Sequence, residues 1–304
     1  MVERGLMRKN AGTALAWVAV CMLAVTGCVG KGRDNTVQIT AGLENYGNIS
    51  VITREDGSGT RNAFAEQVDL LSENAGSTSD LITKSAEVAI NAEAVLEAVG
   101  QNRTAIGFVS SGAVTAEADG IKAINISGIQ PSPENVGNGT YPLCRDFNIA
   151  YSGSLSPVEH DFITYIMSKG QDIVKENYTP IKQAAVFLSD QSAGAIEVTG
   201  STSVAPLMEK LAEDYERINK NAEIEIKASD STSGMTSAMQ GSCDIGMASR
   251  DLKDYEKELL TYETIARDGI TIIVNKDNPV ASLTISQLTD IFSGKDTMWN
   301  DINK

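Results

Sequence analysis

The chain has 304 residues, of which 42% are hydrophobic and 21% charged, a balance that sets aside the disordered and fibrous classes. Its length is enough for two domains, each with its own core. With 40 acidic against 25 basic residues the formal charge is −15, so the surface repels nucleic acid and anionic lipid heads. Any anion held by such a molecule must be captured by local geometry rather than by a broad positive field.

In chain order, Arg4, Arg8 and Lys9 precede a weakly polar to apolar run from Ala11 to Thr26. This reads as a secretory signal over residues 1–27, its apolar run too short for a settled membrane span. The end of that segment, "VTGC" at Val25 to Cys28, resembles a bacterial lipobox, which makes Cys28 the expected lipidation site and first mature residue. Removal of the signal takes away three cations and one anion, moving the charge from −15 to −17. Residues 28–40 read as a tether with one candidate strand, "TVQIT". Of the four cysteines, Cys21 leaves with the signal and Cys28 takes lipid. Cys144 and Cys243 then admit either a disulfide or two buried free thiols. There is no CxxC and no Cys/His cluster, so neither a metal site nor a cofactor is expected.

From Ile49 onward strand and helix patterns alternate, which predicts an α/β architecture with largely parallel sheets. "ISVIT" leads into a helix from Arg61 to Leu71, with Phe64, Val68 and Leu71 on one face. "SAEVAINAEAVLEAVG" reads as a second helix, "TAIGFVS" and "GIKAINISG" as strands, and "SPVEHDFITYIMSKGQDIVKENY" as one helix or two. "GAIEVTG", the helix "SVAPLMEKLAEDYERIN", "AEIEIKA", "CDIGMAS", "GITIIVN" and the helix "TISQLTDIFSG" complete the series. Met235 and Met239, at i and i+4, fit core packing.

Three times a β-rich run ends in a small hydroxyl- and glycine-rich turn before a helix: "GSGT" (Gly57 to Thr60), "GSTS" (Gly200 to Ser203) and "STSG" (Ser231 to Gly234). A helix start leaves backbone N–H groups unpaired and concentrates positive partial charge. Hydroxyls add donors, and glycine lets the backbone approach a guest closely, so such turns suit an anion. Each alone is an ordinary cap. Three at the carboxyl ends of strands, where α/β sheets bind ligands, exceed what capping needs. Arg54, four residues before Ser58, adds a planar fork suited to a tetrahedral oxyanion, against the plainer reading of a surface pair with Glu55 or Asp56. Arg61, in the helix's first turn, reads as a surface residue.

"TREDGSGTRNAF", "VTGSTSVAPLMEKLAEDY", "CDIGMASRDL", "IARDGITIIVNKDNPV" and "LTISQLTDIFSG" followed by "W" together resemble the phosphate-binding receptors of bacterial phosphate ABC transporters, within the type II periplasmic-binding-protein fold. The resemblance extends over nearly all of residues 49–304. It implies two α/β lobes that close on inorganic phosphate, a membrane permease as partner, and a monomeric, lipid-anchored receptor on the outer face of the cell membrane, without enzymatic activity. It carries over Arg54, Ser58, Gly59, Thr60, Thr202, Ser203 and Ser231 as ligand residues, with Thr232 one register away. At Arg250 the well-known receptors have an aspartate that accepts the phosphate hydrogen and rejects sulfate. Arg250 is therefore expected either to touch the anion or to pair with Asp244 or Asp251, and another oxyanion such as sulfate stays an alternative ligand. A surface adhesion or signalling lipoprotein that keeps the fold without transport is a further alternative.

In the resembled family "GSTS" comes first and "RxDGSGT" near the middle; here the order is reversed. The expectation is a circularly permuted receptor, the alternative a frame cut from a tandem gene. A lobe bearing Arg54 is expected at 41–142 and a second lobe at 143–304. "YPLCR" would be the one crossover left intact, with a correspondingly looser hinge. For an enzyme, Ser58 would need a base, and the only histidine, His160, sits among acidic neighbours near a helix start. No GxSxG elbow, P-loop or strand-linked GxGxxG occurs.

Overall fold

The computed structural model describes residues 42–43, 46–74, 77–115 and 118–302. The expected signal, Cys28 and the "TVQIT" strand lie outside them. Strand β1 (Ser50–Arg54) runs into helix α1 (Gly59–Gln67), followed by the hairpin β2 (Leu71–Asn74) and β3 (Ser77–Asp80). Next come β4 (Glu87–Ala89), α2 (Ala92–Gln101), β5 (Ala105–Ser110), β6 (Ile121–Ala123), β7 (Asn125–Ile126) and α3 (Pro133–Gly137). The chain continues through β8 (Cys144–Tyr151), α4 (Pro157–Ile166), α5 (Gln171–Asn177), β9 (Thr179–Pro180), β10 (Gly194–Ser201), α6 (Ala205–Ile218), β11 (Ala222–Ser229) and α7 (Ser231–Gln240). It closes with β12 (Ile245–Ala248), α8 (Asp254–Leu259), β13 (Thr261–Asn275), β14 (Ser282–Leu283) and α9 (Ile285–Phe292).

The main sheet has the order β11-β10-β12-β8-β13-β5-β1-β4. Its flanks are parallel: β10 pairs with β11 and β12, and β1 with β4 and β5. Its middle is antiparallel, and β13 is the reason. At 15 residues it pairs with β8 through Gly269 and with β5 from Ile270 onward, so one strand serves both lobes.

Two main cores follow from this. The first joins residues 43–143 to Ile270, Ile272, Val274, Leu288, Phe292 and the fully buried Trp299. At its centre Phe64 stacks on Phe108 at 4.2 Å, with Phe292 edge-on at 4.6 Å. Trp299 donates Nε1–H to the Thr104 carbonyl at 2.9 Å. The second core runs from Phe147 to Ala266 around Phe162, Tyr165, Leu211 and Tyr215. The lobes are thus about 42–143 with 270–302, and 144–269. The expected assignment of 270–304 to the second lobe is corrected, because β13 does not stop at the lobe boundary. Two crossovers are present, Leu143–Cys144 and Gly269–Ile270, where one was expected. At this junction Arg145 pairs with Asp268 at 3.1 Å, both fully buried. Breaking such a pair from one side costs about 3–5 kcal/mol, which fixes β8 against β13.

Two local expectations also change. Residues 87–89, read as helical, pair with β1 as β4, and Asn91 starts α2 by accepting the Ala94 N–H at 2.8 Å. Helix α1 ends at Gln67 because Asp69 turns to φ +55° and Leu71 opens the hairpin. Met235 and Met239 pack into the second lobe as expected. Cys144 and Cys243 are both free thiols. Among the described residues no helix is long and apolar enough to cross a membrane.

Candidate anion site between the lobes

The first turn is built by a strand end, a left-handed glycine and a helix start. Gly57 takes φ +89°, a conformation that favours glycine, and Ser58 caps α1 by accepting the Arg61 N–H at 3.4 Å. Arg54, the last residue of β1, is 1% exposed. Its Nε and Nη2 donate to the two Glu55 oxygens at 2.8 Å each, so the Glu55 pair exists but is not on the surface. Arg61 is not a free surface residue either: it donates Nη1 to the Arg54 carbonyl at 2.7 Å and pairs with Asp80 at 2.6 Å. Those bonds brace the turn from behind.

In the second and third turns the hydroxyls are released from capping. Helix α6 starts at Val204 with no side-chain cap, which leaves Thr202 and Ser203 for other partners. Helix α7 is capped by Asp230, whose Oδ1 accepts from Thr232 N–H and Ser233 N–H at 2.9 Å, so Ser231 is free of that duty. These turns meet the first across the lobe boundary. Arg54 Nη2 donates to Thr202 Oγ1 at 2.9 Å, and the Thr60 and Ser203 hydroxyls lie 2.8 Å apart. Thr232 donates its hydroxyl to the Gly57 carbonyl at 3.3 Å. The lobes are closed, and Arg54, Ser58, Gly59, Thr60, Thr202, Ser203, Ser231 and Thr232 converge.

Two further serines belong here. Ser201 donates to Ser249 Oγ at 2.8 Å, and Ser249 donates its N–H to Ser231 Oγ at 3.1 Å. Ser201 ends β10 and Ser249 follows β12. The signal was the strand-end position itself, which "CDIGMAS" shares with the other turns.

Arg250 is buried with both terminal nitrogens on Glu256 at 2.8 Å each, and it donates to the Asp251 carbonyl at 2.8 Å. The carboxylate partner is therefore Glu256 of α8, not Asp244 or Asp251. Burial alone would raise the Glu256 carboxyl, but the bonds and charge of Arg250 and the Lys253 N–H hold it below its ordinary value. Arg250 also borders a cavity of ≈ 370 Å³ shared with Ser58, Arg61, Thr232 and Lys253. Arg54–Glu55, Arg145–Asp268 and Arg250–Glu256 thus each match one guanidinium to one carboxylate. An anion here would be held by hydroxyl and helix dipoles more than by net charge. His160 is exposed on α4, and no metal-binding group of side chains occurs among the described residues.

Two α/β lobes joined by two strand crossovers, with oxyanion-type donors converging at their interface, define a solute receptor of the periplasmic-binding type. Residues 35–169 and 185–304 match the PBP superfamily domain. The chain is 42% identical over 259 residues to phosphate-binding protein PstS 2 of Streptococcus pneumoniae, covering 84% of this chain and 88% of that one. With PstS 2 of Streptococcus agalactiae it is 39% identical over 288 residues, 93% and 97% of the two chains. A solved phosphate-binding protein of a phosphate ABC transporter from S. pneumoniae is similar at a TM-score of 0.70, with 41% identity over 84% of this chain and 100% of that one. The chain belongs to this family of phosphate-binding transport receptors within the PBP superfamily. Each sequence alignment runs through most of both chains in one direction, so these relatives carry the segments in the same order.

Proposed function

We propose that the protein is an extracytoplasmic lipoprotein, anchored through Cys28, that captures inorganic phosphate between its lobes and delivers it as a monomer to an ABC-transporter permease. It is a receptor and performs no chemistry on its ligand. The observation that carries this reading is the meeting of donors from both lobes, Arg54 with Thr202 at 2.9 Å and Thr60 with Ser203 at 2.8 Å. An anion bridging these groups makes contacts that exist only in the closed state, so it shifts the hinge equilibrium toward closure. The ligand residues are Arg54, Ser58, Gly59, Thr60, Thr202, Ser203 and Ser231.

Arg250 does not take the place of an acceptor aspartate. Its guanidinium is spent on Glu256, and the residues that converge on the site are hydroxyl and N–H donors. Sulfate, which has no hydrogen to place, is therefore the competing ligand. Calorimetric titration with phosphate and with sulfate from pH 5 to 8 tests the reading. Micromolar or tighter phosphate binding without turnover is expected; measurable phosphatase activity, or no binding of either anion by the folded protein, would sink it. A Cys28→Ala variant should be released into the medium, and continued membrane attachment would refute the anchor.

A further inference from the structure

Four buried polar atoms at the lobe junction lack a hydrogen-bond partner: Thr53 Oγ1, Arg54 Nη1, Ser110 Oγ and Arg145 Nη1. They sit on three strands that the sheet brings side by side around β13. Thr53 and Arg54 end β1, Ser110 ends the adjoining β5, and Arg145 begins β8. The register ties them together, since Ser110 lies opposite Ile270 and Arg145 opposite Asp268 on β13. All four residues are at least nine-tenths buried.

Asp268 accounts for only part of Arg145. Its Oδ2 accepts from Arg145 Nε at 3.3 Å and Nη2 at 3.1 Å, and its Oδ1 accepts the Ser111 N–H at 3.1 Å. Ser110 lies against Asp268 and Tyr178 without a well-formed hydrogen bond to either. Ser110 also lines a cavity of ≈ 350 Å³ together with Thr202 and Ser203, two of the proposed anion ligands. Burial lowers the Arg145 pKa, and the charge of Arg54 lowers it further, which places the two guanidinium groups within electrostatic reach of each other.

A buried N–H of a charged group is costly to leave unpaired. Two such N–H groups and two hydroxyls ask for an acceptor with several lone pairs aimed in different directions. One water offers two acceptor positions, whereas a tetrahedral dianion offers four oxygens. We propose that Arg145 and Ser110 are further ligands of the bound anion, donating Nη1 and Oγ to it from the hinge while Arg54 Nη1 donates from the first lobe. The inference rests on the receptor reading above. It also makes the hinge itself sense the ligand, because Arg145 and Asp268 lie on the two strands that cross between lobes.

The test compares Ser110→Ala and Arg145→Lys with the parent protein, using phosphate as probe in calorimetry and unliganded melting temperature as the structural control. Ser110→Ala deletes an oxygen that makes no well-formed hydrogen bond in the free protein, so its melting temperature should change little. Its phosphate affinity should fall about tenfold, the loss expected for one hydrogen bond to a charged ligand. Arg145→Lys keeps a cation for Asp268 but loses the fork, and should bind about 10–100-fold more weakly. Should Arg145→Lys not fold, Ser110→Ala decides alone. If the variants bind phosphate as the parent does, this inference falls and the receptor reading stands. If the parent binds neither phosphate nor sulfate, both fall.

Discussion

Gly59 opens α1 with its Cα facing two serines of the other lobe. A Cβ built there would lie 2.6 Å from Ser249 Oγ and nearer still to Ser231 Oγ. Both are short, fully buried side chains on the far wall. Because the clash is across the lobe boundary and is relieved when the lobes separate, Gly59→Ala should still fold, with alanine favouring the helix by up to about 1 kcal/mol. It should nevertheless bind phosphate more than tenfold more weakly and stay open when phosphate is added. Small-angle scattering with and without ligand checks this; a phosphate-induced compaction equal to the parent's would contradict it. Residues of this kind were readable in the sequence, because glycine and hydroxyl side chains at a strand-to-helix turn advertise close approach. Arg54 was legible as a candidate for a different reason, a planar fork four residues before Ser58. Its burial and its bond to Thr202 were not, since they depend on a residue 148 positions away.

At the scale of elements, caps and strand ends explain where sequence reasoning held and where it slipped. The three turns were legible because hydrophobic strands flank them and helices follow. Which residue caps each helix was not: Asp230 does so for α7, freeing Ser231, and α6 starts without a side-chain cap. Helix α8 supplied the partner that Arg250 lacked on paper, since its six residues bear acids at three positions and only packing selects Glu256. That pair gives the protein an acid-sensitive element. The Glu256 carboxyl is held below its ordinary value of 4.5, so its contribution to stability is fully present above about pH 4.5 and lost as the pH falls through the lower folded value. Glu256→Gln should remove part of the loss of melting temperature between about pH 5 and 3. It should also lower stability at pH 7, because Arg250 is left buried without a countercharge. An unchanged acid limb in the variant would show that Glu256 is not the group responsible.

The whole molecule depends on strands that ignore chain order. The alternation of elements announced an α/β receptor, but the long reach of β13 was hidden inside "IARDGITIIVN", whose apolar half alone reads as a strand. Because two crossovers are kept rather than one, the hinge has the same number of covalent links as a two-crossover receptor, and the expected loosening has no structural basis. Residues 47–49 meet 297–299 directly: Ile49 N–H donates to the Thr297 carbonyl at 2.8 Å, and Trp299 N–H to the Gly47 carbonyl at 3.0 Å. In the second lobe, residues 182–193 link the end of one block of motifs to the start of the other. That link is pinned by Phe187 against Tyr165 at 5.4 Å and by Ser189 donating to Asp161 at 2.6 Å.

On either side of Phe187 the chain surfaces, with Val186 90% and Leu188 87% exposed. With 47–49 bonded to 297–299, the described fold closes on itself, and it should accept an opening elsewhere. A rearranged gene that joins residue 302 to residue 47 through a short glycine-serine linker and opens the chain beside Val186 would place "GSTS" ahead of "GSGT". It should fold and bind phosphate within about threefold of the parent, because every contact at the site is spatial and the new ends lie on exposed backbone. Loss of binding in a rearranged protein that still folds would mean that the seam between Ile49 and Thr297 holds the arginine turn in place, so that this junction belongs to the binding machinery as much as the hinge does.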